Sequence, residues 1–158
     1  MTDVDDPAGP SPDGRDGTRG PHAPPERGFS LHLPPSATSI AVARSVVRRT
    51  VGFRDDDAAG RFLTALGEIV VNAIAEHQLR DDPSEVTVTA ELAGSAHVTV
   101  VNAIDPDATR GLPFATTGDA ERLGDGLSVA FALVPALSVR LELTRIRVTL
   151  PLRGFLRP

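Results

Sequence analysis

The spacing of apolar residues changes character several times along the chain, and each change marks an element. Phe29, Leu31 and Leu33 alternate with Ser30 and His32, the period of a strand with one buried face, until Pro34 and Pro35 stop it. Ile40, Ala43, Val46, Val47 and Val51 then recur at three- and four-residue steps, which predicts a helix capped at Ser36 or Thr38 and closed at Gly52. Asp55, Asp56 and Asp57 place negative charge at the start of a second helix, predicted to run to about Gln78. The period next returns to two. Val86, Val88 and Ala90 alternate with Thr87, Thr89 and Glu91, Gly94 and Ser95 turn the chain, and Val98 and Val100 lead to a strand end near Asn102, which together predict a β-hairpin. Residues 103 to 123 sustain no period and read as a functional loop or lid. Residues 127 to 133, after Gly124-Asp125-Gly126, predict a short helix beginning at a glycine-rich junction. Val139, Leu141 and Leu143, then Ile146, Val148 and Leu150 against Arg145, Arg147 and Thr149, predict two strands joined by a tight turn near Thr144.

Strands clustered in hairpins, with helices between them, imply an α+β fold: a two-layer sandwich of a mixed, mainly antiparallel sheet with helices on one face. Residues 1 to 28 hold five of the 14 glycines and six of the 14 prolines and almost no large apolar side chain, so burial there cannot offset the entropy of ordering the chain. They are expected to form a disordered tail, leaving residues 29 to 158 as one domain. With six Phe and neither Trp nor Tyr, the core has to be filled mainly by Val, Leu, Ile and Ala.

Composition narrows the function. A net charge of −5 is the wrong sign for a general nucleic-acid surface. The absence of Cys excludes disulfides, Cys-ligated metals and thiol nucleophiles. The acidic start and the lack of an unbroken apolar run of about 18 residues predict neither a signal peptide nor a membrane partner, hence a cytoplasmic protein. His22, His32, His77 and His97 show no metal-ligand spacing, and His77 falls on the core side of the second helix as a packing histidine. Arg48, Arg49, Arg145 and Arg147 read as solvated faces, with Arg48 and Arg49 the pair best suited to grip a partner's carboxylates.

The second helix carries the candidate chemistry. Phe62, Leu66, Ile69, Val70, Ala73 and Ile74 form its apolar stripe, and Glu68, Asn72 and Glu76 stand at four-residue steps along one edge of that stripe. Such an edge can line a groove, where an amide oxygen suits a hard cation such as Mg²⁺ and a carboxylate can activate a hydroxyl or water. The same three residues equally describe a solvated boundary.

Three stretches resemble the GHKL (Bergerat-type) ATPase superfamily, and within it the anti-sigma factor serine kinases. Phe-Ser-Leu-His-Leu-Pro at 29 to 34 is similar to the family's first strand, Leu66-Gly67-Glu68-Ile69-Val70-Val71-Asn72-Ala73 to its N-box, and Gly124-Asp125-Gly126-Leu127-Ser128-Val129 to its second glycine box. The likeness extends over nearly all of residues 29 to 152. The glycines of that box and the helix start behind them would suit a phosphate. The resemblance implies ATP and Mg²⁺ as cofactors, Glu68 as catalytic base, Asn72 as the Mg²⁺ ligand, and Gly124, Gly126 and Leu127 at the phosphates. The adenine contact, an Asp in the family's first glycine box, falls on either Asn102 or Asp105. No glycine accompanies either one, since Ile104 and Pro106, or Asp107 and Ala108, take those places. The implied partners are a sigma factor and a STAS-type anti-anti-sigma antagonist phosphorylated on serine, with a homodimer as a further expectation. A nucleotide-independent binding protein of the same fold is the alternative that the missing glycines support.

Overall fold

The computed structural model describes residues 28–104 and 125–158. The expected tail, apart from Gly28, most of the expected loop, including Asp105, and Gly124 of the glycine-rich junction lie outside these residues. The described chain forms β1 (Gly28–Leu33), α1 (Ala37–Thr50), α2 (Asp56–Leu79), β2 (Val86–Glu91), β3 (His97–Ala103), α3 (Asp125–Leu133), β4 (Ser138–Glu142) and β5 (Arg145–Pro151). The five strands make one sheet in the order β1-β2-β3-β5-β4. Every pairing is antiparallel, so the mixed sheet expected from the sequence is a fully antiparallel one.

Register follows from which side chains must be dry. Leu31 pairs with Val88, Val88 with Val100, Val100 with Val148 and Val148 with Val139, so one apolar row crosses all five strands. A slip of one residue in any strand would send its apolar set to the other face. The row beside it, on the opposite face, is Ser30, Thr89, Thr99, Thr149 and Ser138. The hairpin between β2 and β3 turns through Gly94 at φ 62°, a left-handed conformation that glycine adopts without steric penalty. Leu143 departs from its expected place: it sits in the β4–β5 turn and is 92% exposed, because the strand ends one residue before it.

The helices cover the apolar face, with α2 packed against α1, α3 and the central strands β2 and β3. The Asp55 side chain caps α2 by accepting from the Ala58 N–H at 2.6 Å, and Asp56 and Asp57 complement the positive end of its dipole. α1 opens differently. Ser36 sits at its N-cap without a side-chain cap bond, and its hydroxyl instead meets those of Thr38 and Ser39. By length and hydropathy α2 could cross a bilayer, but 61% of its apolar window is buried inside the domain, which identifies it as the core helix. Phe62 anchors it, lying 5.6 Å from the Phe53 ring and 5.3 Å from that of Phe155. Phe155 belongs to the C-terminal segment, which returns from the sheet to the helices and pairs Leu156 with Phe53.

Gly60 lies on the exposed side of α2, where an added Cβ would meet nothing within 4 Å. Gly60→Ala is therefore expected to stabilise the domain by about 0.5–1 kcal/mol, since it removes backbone freedom from the unfolded chain. The readout is a rise of about 3 °C in melting temperature.

Candidate functional site

One flank of α2 is neither apolar nor fully wet. Glu68, Asn72 and Glu76 are each half-buried, one turn apart. The other flank faces α1, where a Cβ on Gly67 would lie 3.5 Å from Cδ of Arg44. The polar flank is the one turned toward α3. Arg61, Ala65, Glu68 and Asn72 follow one another at steps of four, three and four residues, and Arg61 Nη2 donates to the Leu133 carbonyl at the end of α3, at 3.3 Å. Among the described residues, neither Glu68 nor Asn72 has a side-chain hydrogen-bond or ion-pair partner. Glu76 is different: its Oε1 lies 3.4 Å from Arg80 Nε, and that contact occupies the carboxylate. Of the three edge residues, Glu68 and Asn72 form the pair left open for chemistry.

A polar cluster closes the C-terminal end of α2. Asp81 takes φ 52°, the Asp82 N–H returns to the His77 carbonyl at 3.0 Å and the Asp81 N–H to that of Gln78 at 3.3 Å, a Schellman closure with Asp in the usual glycine position. This turn gathers His77, Arg80, Asp82 and Ser84. His77 is fully buried, as expected of a packing histidine, with Nδ1 3.3 Å from the Ser84 hydroxyl and 3.6 Å from Asp82. Its Nε2 is buried without a partner.

Arg80 reaches beyond the helix. Its Nη2 donates to the Ala103 carbonyl at 2.7 Å, and Asn102 Nδ2 donates to the same oxygen at 3.2 Å. Asn102 is 6% exposed, on the helix-facing side of β3. With its nitrogen turned to Ala103, its amide oxygen points away from that carbonyl and suits a donor such as an adenine amino group. The arginine tie was not legible in the sequence, where Arg80 is one of several charges in a turn. Its only signal is the run of Arg80, Asp82 and Ser84 just after a helix-end histidine.

The remaining expected site residues are distributed less simply. Gly126 lies inside the first turn of α3, which begins at Asp125, so the glycine-rich junction belongs partly to the helix. Leu127 is 6% exposed and packs in the core. Ile104 is also buried, with its N–H bonded to the Thr144 carbonyl at 3.0 Å, so a branched side chain is packed into the end of β3. Arg48, expected on a solvated face, pairs with Asp56 at 3.0 Å, both side chains being largely exposed. The described residues hold no cluster of three or more His, Asp or Glu able to cage a metal. A single open amide such as Asn72 fits Mg²⁺ that keeps its waters and arrives with a phosphate, a common mode for that ion.

No family model matches the chain, and no curated protein matches its sequence. Solved structures share the fold. The RsbU and RsbW domains of Rv1364c from Mycobacterium tuberculosis superpose with a TM-score of 0.56 at 19% identity, covering 78% of this chain and 31% of that one. The SiaB–SiaC complex from Pseudomonas aeruginosa gives 0.51 at 14% identity, covering 80% and 91%. This chain thus spans about a third of the first of these proteins.

The turn after α2 generates a pH dependence. The backbone N–H of Ser84 donates to Asp82 Oδ1 at 2.9 Å; this bond, the Ser84 hydroxyl, and then the charges of His77 and Arg80 hold the Asp82 carboxyl below its ordinary value of 3.8. A carboxyl depressed in the folded state adds stability above its unfolded pKa, and that stability is lost as the pH falls below it. Asp82→Asn is expected to make the drop in melting temperature between about pH 5 and pH 3 shallower than in the parent.

Proposed function

We propose that this chain is a partner-switching regulator of the anti-sigma type that binds Mg-ATP between α2 and α3 and phosphorylates a serine of its antagonist. The observation that carries the reading is the Glu68–Asn72 pair: two polar side chains, half-buried, one turn apart, without partners among the described residues. A folded chain seldom leaves such groups half-dry and unpaired unless something else completes their bonding. The shared fold with the RsbW and SiaB structures supports the same assignment.

In this reading Asn72 offers its amide oxygen to Mg²⁺, and Glu68 accepts the proton of the antagonist's serine hydroxyl. Asn102, or Asp105, takes the adenine amino group, and Gly124 and Gly126 meet the phosphates through backbone N–H groups at the start of α3, behind which Leu127 fixes the turn in the core. Mg-ATP, when bound, supplies the phosphoryl group and neutralises its charge. The protein's own contribution is positioning and dehydration. α3 ends at the Arg61 contact, and its nine residues span about 13 Å; Asn72 stands about 16 Å along α2 from the same contact, so the two helices offer comparable lengths of groove. The partners are a sigma factor, held away from polymerase, and a STAS-type antagonist, met in the cytoplasm, with a homodimer as the working unit.

One observation favours a second reading. Ile104 fills the end of β3 where the related kinases carry glycine, and a buried branched side chain there narrows the approach to Asn102. In that case the domain binds its partners without nucleotide.

Isothermal titration with Mg-ATP decides between them: binding at millimolar affinity or tighter supports the kinase, and no heat supports the binding module. Given binding, Asn72→Ala is expected to weaken Mg-ATP at least tenfold, and unchanged affinity removes it from the metal. Glu68→Gln is expected to retain binding and lose phosphate transfer to the antagonist; retained transfer rules it out as the base.

A further inference from the structure

A second concavity lies at the opposite end of the sheet from Asn102. It opens where β3 and β4 begin and β5 ends, with a volume of about 870 Å³. Ser95, His97, Ser138, Thr149, Arg153 and Arg157 supply its polar lining, and among the described residues no Asp or Glu lines it. This composition runs against the chain as a whole, which carries a net charge of −5. Two arginines line one concavity with no carboxylate of the described residues among them, a balance of charge that favours an anion there.

The two arginines are held differently. Arg157 Nε donates to the Phe53 carbonyl at 3.0 Å and its backbone N–H to the Gly52 carbonyl at 3.1 Å, so its stem is fixed while the rest of its fork stays available. Arg153 is exposed and has no hydrogen-bond or ion-pair partner among the described residues. It is followed by Gly154 at φ 88°, in a turn closed by the Phe155 N–H on the Leu152 carbonyl at 2.9 Å. His97 Nδ1 donates to the Ser95 carbonyl at 2.7 Å, which places that proton on Nδ1 and orients the ring. Its Nε2 lies 3.9 Å from Glu91, an exposed carboxylate outside the lining. Ser138 and Thr149 are paired neighbours on the same face of β4 and β5, so two hydroxyls stand side by side.

We propose that this concavity is a binding site for a small organic phosphate, distinct from the groove beside Glu68 and Asn72. A phosphate monoester presents a dianion with three acceptor oxygens, which matches two arginine forks and adjacent hydroxyl donors better than a carboxylate with two. The volume exceeds what a phosphate alone fills, leaving room for a sugar-sized body. The site sits between the C-terminal segment and the β2–β3 turn, so an occupant would tie together two segments that now meet through the Leu152 N–H and the Ala96 carbonyl at 2.9 Å.

The test is a titration of the full chain, without Mg²⁺, with ribose 5-phosphate, ribose and citrate in turn, followed by amide shifts in two-dimensional NMR. Ribose 5-phosphate is expected to bind at roughly millimolar affinity and to move the amides of Gly94, Ser95, His97 and Gly154, with ribose inert and citrate weaker. Arg153→Ala is expected to weaken that binding about tenfold with the fold unchanged, because its side chain has no structural partner, whereas Asn72→Ala leaves it intact. Shifts centred on α2 and α3, loss in Asn72→Ala rather than Arg153→Ala, or no saturation by ribose 5-phosphate would each overturn the proposal. Failure of Mg-ATP binding would leave it standing, since the two sites share no residue.

Discussion

Everything in this domain depends on the burial of α2. A helix of 24 residues lies across the middle of an antiparallel sheet, with α1 on one flank and α3 on the other. Phe62, Leu66, Val70 and Ala65 are wholly or almost wholly buried, and Phe62 holds the helix between Phe53 and Phe155. Enclosure on this scale leaves little room for unpaired polarity. Glu68 and Asn72 stand out because other half-buried or buried polar groups toward the end of the same helix are paired, Glu76 with Arg80 and His77 with Ser84 and Asp82.

The helix also links one end of the molecule to the other. At its start, Phe62 packs on the C-terminal segment that borders the arginine-lined concavity. At its end, Arg80 and Asn102 converge on one carbonyl, that of Ala103. Two donors share that acceptor, so the turn after α2 is tied to the end of β3 beside Asn102.

Polarity on the sheet divides just as sharply. Apart from Asn102, the helix-facing rows are apolar from β1 to β4, while the opposite face carries a row of five hydroxyls, Ser30, Thr89, Thr99, Thr149 and Ser138. β-branched Thr suits a pleated surface and tolerates contact with water, so the sheet keeps its strand propensity on both faces, and of this hydroxyl row only the central Thr99 is buried.

How much of this was legible depended on the range of the interactions involved. Periodicity located seven of the eight elements within a few residues, the Gly124-Asp125-Gly126 junction marked the eighth, α3, and the helical period placed Glu68 and Asn72 on one edge of α2, because a helix or strand repeats its burial pattern locally. The aspartate cap at Asp55 and the core position of His77 were readable for the same reason. Tertiary structure decided what joins residues far apart in the chain. It made every strand pairing antiparallel, put the polar edge on the α3 side, engaged Glu76 with Arg80, brought Arg80 to Ala103, buried Ile104 and set Arg153 and Arg157 around a concavity 50 or more residues from Ser95 and His97. Local sequence specifies which face of an element must be dry; only packing determines what that face meets, because the free energy of burial does not depend on which apolar partner supplies it.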